Sequence, residues 1–112
     1  MKKNLFDQIP AQLSSELLTV LAENDFVKIE RIVSDNHASP PNFWYDQPQN
    51  EWVLLISGTA TLSIETKNNI ERVTLRPGDH LLIPAHQRHR VESTSSTEKS
   101  IWVTVHFCEN LA

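Results

Sequence analysis

WYDQPQNEWVLLISG, Trp44 to Gly58, and RPGDHLLIPAHQRHRV, Arg76 to Val91, decide how this chain is read. Each segment contains a glycine, and each sets a potential metal ligand near the start of a strand-like run. Glu51 opens the apolar run after Asn50, and His89 stands two residues before Val91. Their chemistries are complementary: one is a hard anionic oxygen, the other a neutral imidazole nitrogen. If the two runs lie near each other in one barrel, these side chains can share a pocket. The pocket therefore depends on the fold.

The flanking sequence reads as short strands. Phe26 to Ser34 is rich in β-formers, with Val27, Ile29 and Arg31 on one face. Residues 35–42, DNHASPPN, are turn formers. Glu51 to Ile56 is a strand ending at Gly58. In Thr59 to Thr66, Ala60, Leu62 and Ile64 alternate with Thr61, Ser63 and Glu65. Lys67-Asn68-Asn69 makes a hairpin turn, since Asn tolerates positive φ. Ile70 to Leu75 returns, and Pro77-Gly78-Asp79 turns again. His80 to Ile83 and His89 to Glu92 are short strands separated by Pro84. Ser93 to Lys99 is a polar surface loop, and Ile101 to Phe107 is the last strand. Eight or nine short strands without alternating helices predict an all-β antiparallel sandwich or barrel.

The first 25 residues differ. Leu13, Leu17, Leu18 and Leu21 fall at helical spacing, and Pro10 suits a first turn. This predicts a short amphipathic helix from about Pro10 to Ala22, ended by Asn24 and Asp25. The expected organisation is an N-terminal helical extension, 1–25, and a single barrel, 26–112.

Composition narrows the function classes. A chain of 112 residues allows one domain and one core. The net charge of −4, the pI near 5.7 and the lack of a Lys/Arg run argue against a nucleic-acid partner. One cysteine, Cys108, allows no internal disulfide, which fits a reducing compartment. The opening MKKNLFDQIPAQL has the lysines of a signal peptide but not its apolar stretch. No run reaches membrane-spanning length. A soluble cytoplasmic protein without membrane contact is the expectation. No nucleophile–base arrangement stands out, since Cys108 sits beside acidic Glu109. Two glycines, Gly58 and Gly78, make no phosphate-cradling loop.

The two opening segments resemble the paired motifs of the cupin superfamily. The first motif has the form H-x-H, three or four residues, Glu, six residues, Gly. Glu51 and Gly58 match its second half. The second motif has Gly, five residues, Pro-x-Gly, two residues, His. Gly78, Pro84 and His89 match it, with His86 in place of the second Gly. The resemblance covers residues 26–107. It also extends to a group of small single-domain bacterial cupins with the wording WYDQ…EWV…IPAH…HRV. It implies a double-stranded β-helix, or jelly-roll barrel. The departure is at the two motif-one histidines. Anchoring on Pro48 puts Tyr45 and Gln47 there; the longer spacing puts Trp44 and Asp46 there. The resemblance carries over cleanly only to Glu51 and His89.

It implies a site for a divalent metal, Fe, Mn, Ni or Zn, at Glu51 and His89, assisted by Gln47 and His106. Tyr45, Asp46, Trp102 and Thr104 are the expected pocket residues, over an apolar floor of Val53, Leu55 and Val91. Each assignment has a plainer alternative. His89 can be a satisfied core histidine, and Glu51 can sit at the exposed end of its strand. His106 reaches the pocket if the Trp102, Thr104, His106 face points inward, and lies on the surface if the Val103, Val105, Phe107 face does. Both stay open. His86 reads as a turn histidine bonded to backbone, and His37 and His80 carry no role. Tyr45, Trp44, Trp52 and Phe43 line a pocket, or fill the core and a dimer contact. The expected function is a small cupin that binds or converts a small molecule at a divalent metal. The alternatives are a metal-free binding or sensing module and a structural dimer. Symmetric pairing into a homodimer is expected.

Overall fold

In a computed structural model, which describes residues 1–108, the chain forms eight strands in two antiparallel sheets. They are β1 (Leu17–Glu23), β2 (Val27–Ser34), β3 (Asn50–Ser57), β4 (Ala60–Thr66), β5 (Asn69–Leu75), β6 (His80–Ile83), β7 (His89–Thr94) and β8 (Ser100–Phe107). The larger sheet runs β1-β2-β8-β3-β6, and the smaller runs β5-β4-β7. Glu109 and the last residues of the expected 26–112 barrel lie outside the described residues.

The N-terminal helix is not formed. Leu17–Glu23 is instead an edge strand, paired antiparallel to β2 from Leu17↔Val33 to Glu23↔Lys28. The four leucines satisfy a helical period, yet Thr19 and Val20 are β-branched, and β2 offers an open edge. A lone helix of this length is marginal in water, whereas the edge supplies a backbone partner. Arg31 ties the preceding segment to the outer face of this pair. Its guanidinium donates to Leu5 O (2.9 Å), Asp7 O (2.7 Å) and Thr19 Oγ1 (3.2 Å). The first 25 residues thus contribute to the sheet itself.

Register decides which side chains face the core. β8 pairs with both β2 and β3, setting Trp102 opposite Leu55, Thr104 opposite Val53, and His106 opposite Glu51. Val53, Leu55, Ile83 and Trp102 from the larger sheet meet Ala60, Leu62, Ile64 and Leu75 from the smaller one. This apolar contact fills one end of the space between the sheets, as in other packed sheets. Both glycines occupy positive φ, where turns leave β3 and enter β6: Gly58 at +79° and Gly78 at +93°. Non-glycine His86 also has positive φ, at 64°. That is where the resembled motif has glycine.

Candidate functional site

The other end of the inter-sheet space is open. A cavity of about 470 Å³ lies there, within the range of small-molecule sites. Its floor is apolar, with Val53, Leu62, Ile83, Val91 and Trp102. Its walls are polar: Glu30, Gln47, Glu51, His89, Thr104 and His106. Each polar wall residue on β2, β3, β7 and β8 occupies an inward position of a strand with period two.

Glu51 and His89 meet across this space. Glu51 Oε1 lies 3.3 Å from His89 Nε2, and both side chains are nearly buried. Gln47 Nε2 donates to the same Oε1 at 2.7 Å. His89 Nδ1 lies 2.9 Å from Gln87 O. A carbonyl oxygen can only accept, so Nδ1 carries the hydrogen and Nε2 faces the carboxylate. Besides Gln87, Tyr45 holds His89 in place. Tyr45 forms a backbone bridge to it, with N–H to His89 O at 2.7 Å, and stacks its ring at 5.5 Å.

The electrostatics follow from this contact. Burial by itself would raise the Glu51 carboxyl. The His89 hydrogen bond, the His106 charge and the Gln47 amide together outweigh it and hold the group below the ordinary carboxylate value. Burial would lower the His89 imidazole, but Glu51 and Gln87 O outweigh it and raise the group. Burial, then the Glu16 and Glu51 charges, raise the Tyr45 phenol.

The structure decides the open face of β8. Trp102, Thr104 and His106 point inward and line the cavity. Trp102 Nε1 donates to Ser34 Oγ at 3.2 Å. Thr104 is 1% exposed, and its Oγ1 has no hydrogen-bond partner. His106 Nε2 lies 3.4 Å from Glu30 Oε1 rather than against Glu51. Lys28 Nζ approaches the same Glu30 oxygen at 3.9 Å. A second carboxylate–imidazole pair therefore faces the first.

Glu30 was not legible from sequence. Its strand places Val27, Ile29 and Val33 on the opposite face, which reads as the core face. The signal for an inward Glu30 appears only in the fold, where Arg31 on that face is held by the Leu5 and Asp7 carbonyls of the N-terminal segment. Asp46, expected in the pocket, is not among the lining residues. It is exposed and pairs with His86 Nδ1 at 2.8 Å. The His86 N–H bonds backbone, to Gln47 O at 2.8 Å. Trp44 lies under the Arg88 guanidinium at 5.4 Å, and Trp52 lies beside His80. His37 accepts from Asp35 N–H in its loop.

A divalent metal can be tested against these donors. The Nε2 of His89 is the free nitrogen, its Nδ1 is fixed by a carbonyl, and a carboxylate stands opposite. That is the usual arrangement of a metal-ligating histidine with its supporting hydrogen bond. Among the described residues, however, no three His, Cys, Asp or Glu side chains form one metal-holding group. The fit is to a two-residue nucleus, with Gln47 in contact and His106 engaged by Glu30.

The comparisons with known proteins agree with the architecture. The family described as "Cupin domain" matches residues 33–106. A protein from Ralstonia eutropha JMP134, named provisionally as a mannose-6-phosphate isomerase, is 44% identical. It superimposes with a TM-score of 0.88 over 96% of this chain and 98% of its own. A cupin superfamily protein from Desulfitobacterium hafniense DCB-2 is 20% identical, with a TM-score of 0.72 over 90% and 84% of the two chains. The hydroxypropylphosphonic acid epoxidase of S. wedmorenis is 14% identical, with a TM-score of 0.69 over 82% and 51%. These last two likenesses are of fold alone. No functionally curated protein matches the chain. Among the described residues, no helix is long and apolar enough to cross a membrane.

Proposed function

This chain belongs to the cupin family, and on that premise we propose that its cavity holds a divalent cation at Glu51 and His89 and there binds or converts a small polar molecule. One observation carries the proposal. The hydrogen on His89 Nδ1 leaves Nε2 facing Glu51 Oε1 at 3.3 Å. A lone pair against a carboxylate is repulsive unless a cation stands between them. A proton fills that role in the ion pair, and a metal ion fills it by replacing the proton. Gln47 adjoins the same oxygen, and His106 joins when released from Glu30. Mixed nitrogen and oxygen donors suit Fe, Mn, Ni or Zn. When bound, such an ion supplies Lewis-acid polarisation of a substrate oxygen. The protein's own residues offer such a ligand the aromatic rings of Trp102 and Tyr45 above an apolar floor.

The test is elemental analysis of untagged protein. His89→Ala should weaken metal binding by more than about tenfold, since even supporting residues cost about 10–100-fold. His37→Ala, in a loop, should leave metal content unchanged. Equal content in the two variants would sink the ligand role of His89.

A second reading has its own observation. Because no three-ligand group is formed among the described residues, the proton-bearing Glu51–His89 pair can serve a metal-free binding module. Metal-free protein that binds its small molecule as tightly as the loaded form would favour it.

We also propose that the chain works as a homodimer in the cytoplasm, without nucleic-acid or membrane partners. The outer face of the larger sheet exposes or half-exposes Trp52, Leu54, Leu82, Val103, Val105 and Phe107. A contiguous apolar face of this kind suits a second copy. Light scattering should give twice the chain mass, and a monomer at micromolar concentration would count against it.

A further inference from the structure

Glu16 lines the cavity but takes no part in the proposed cation site. It stands directly before β1, and the β1–β2 register sets it beside the end of β2, since Leu17 pairs with Val33. The segment that carries it is fixed at three earlier points. Arg31 binds Leu5 O and Asp7 O on the outer face, and Lys99 Nζ donates to Ala11 O at 2.8 Å. Glu16 itself is half-buried, and its Oε2 accepts from Ser34 Oγ at 2.6 Å.

Ser34 is fully buried and joins Glu16 to an aromatic wall of the cavity. Its Oγ accepts from Trp102 Nε1 at 3.2 Å while donating to Glu16. A hydroxyl turns freely about its C–O bond until a partner fixes it. With the hydrogen aimed at Glu16, a lone pair of Oγ is left for the indole N–H. A carboxylate acceptor makes the stronger bond and polarises the next one in the chain. The buried indole N–H needs an acceptor, and this bond limits the angle at which the ring meets the cavity. Aromatic recognition depends on which part of the ring is presented, so that angle belongs to the binding surface.

We propose that Glu16 is a positioning residue of the binding site: acting through Ser34, it sets the angle at which the Trp102 ring meets a bound molecule. The N-terminal segment is then a working part of the cavity as well as a cover for the outer sheet face. The inference rests on the cavity being the binding site, as read above, and not on the metal.

The test reads the Trp102 indole N–H by heteronuclear NMR, in which the three tryptophans give separate signals. Glu16→Ala should shift the Trp102 signal and speed its hydrogen exchange by about tenfold, the effect of one charge-assisted hydrogen bond. Glu16→Gln keeps an oxygen that accepts from Ser34, and should return exchange to within about threefold of wild type. Glu23→Ala removes another cavity-lining carboxylate, at the far end of β1, and should leave Trp102 unchanged. In a Ser34→Ala background, Glu16→Ala should add nothing further, because the route is already cut. If Ser34→Ala does not fold, the Glu16→Ala and Glu16→Gln pair decides alone. Wild-type exchange at Trp102 in Glu16→Ala overturns the proposal. So does a Glu16→Gln protein as impaired as Glu16→Ala, or a Glu23→Ala protein that loses as much. Metal content, the test of Glu51 and His89, enters none of these readings, so the two proposals fail separately.

Discussion

Gly58→Ala should destabilise the protein far more than Gly78→Ala, although both glycines hold similar positive φ. At Gly58 a Cβ would lie 2.6 Å from Ser100 Cα and 2.8 Å from Lys99 O, and against Ser100 Oγ. Two of these atoms are backbone at the start of β8, which cannot turn aside as a side chain can. At Gly78 no heavy atom lies within 4 Å of the added carbon. Both variants incur the left-handed backbone cost of roughly 1–2 kcal/mol. Only Gly58→Ala adds overpacking of about 1–3 kcal/mol. The totals are about 2–5 kcal/mol against about 1–2 kcal/mol. For a domain near 100 residues, a loss of 2 kcal/mol lowers Tm by about 10 °C. Urea and thermal unfolding of the two variants side by side measure the difference. If Gly58→Ala unfolds no earlier than Gly78→Ala, the close approach of this turn to β8 is not a constraint. The reasoning from packing would then be wrong. The approach matters to the site because β8 carries Trp102, Thr104 and His106 inward from that end.

The remaining predictions concern the cavity. His89 has a raised pKa in the fold, so its contribution is present below about pH 6.5 and is lost as pH rises through the folded value. Glu51 has a lowered pKa, so its contribution is present above about pH 4.5 and is lost as pH falls through the folded value. The pair therefore stabilises most between these limits. The difference in urea midpoint between wild type and His89→Gln should peak there; a difference that is flat from pH 5 to pH 8 would contradict the ion pair. Thr104→Val removes the orphaned hydroxyl at nearly constant volume. It should raise stability by about 1 kcal/mol. A calorimetric Tm below wild type would show that the hydroxyl has a partner in the fold.

Much of this molecule is written in local patterns. The alternation of Ala60, Leu62 and Ile64 marks β4, and Lys67-Asn68 marks its hairpin. Gly58 and Gly78 mark backbone that must turn at positive φ. Glu51 and His89 stand at spacings that recur in cupins, and their side chains do converge. These features were legible because period, turn chemistry and motif spacing are properties of a few neighbouring residues.

Three features were decided only by the assembled sheets. Leu17–Glu23 satisfies a helical period as well as a strand, and the open edge of β2 selected the strand. His106 alternates with aliphatic residues on β8, and either face of that strand is apolar enough for a core. Closure of the two sheets turned the Trp102 face inward. Glu30 lies opposite Ile29 and Val33, so its strand reads as though the carboxylate faced water. The N-terminal segment, held by Arg31 through the Leu5 and Asp7 carbonyls, lies on the far side, and Glu30 is left inside, against His106. The sequence by itself pointed to the strands after β1, to their turns, and to Glu51 and His89 as candidates for one pocket. Tertiary structure alone decided which face of each strand meets the cavity. The reason is that burial on a strand is settled by what packs across it, and those partners lie far away along the chain.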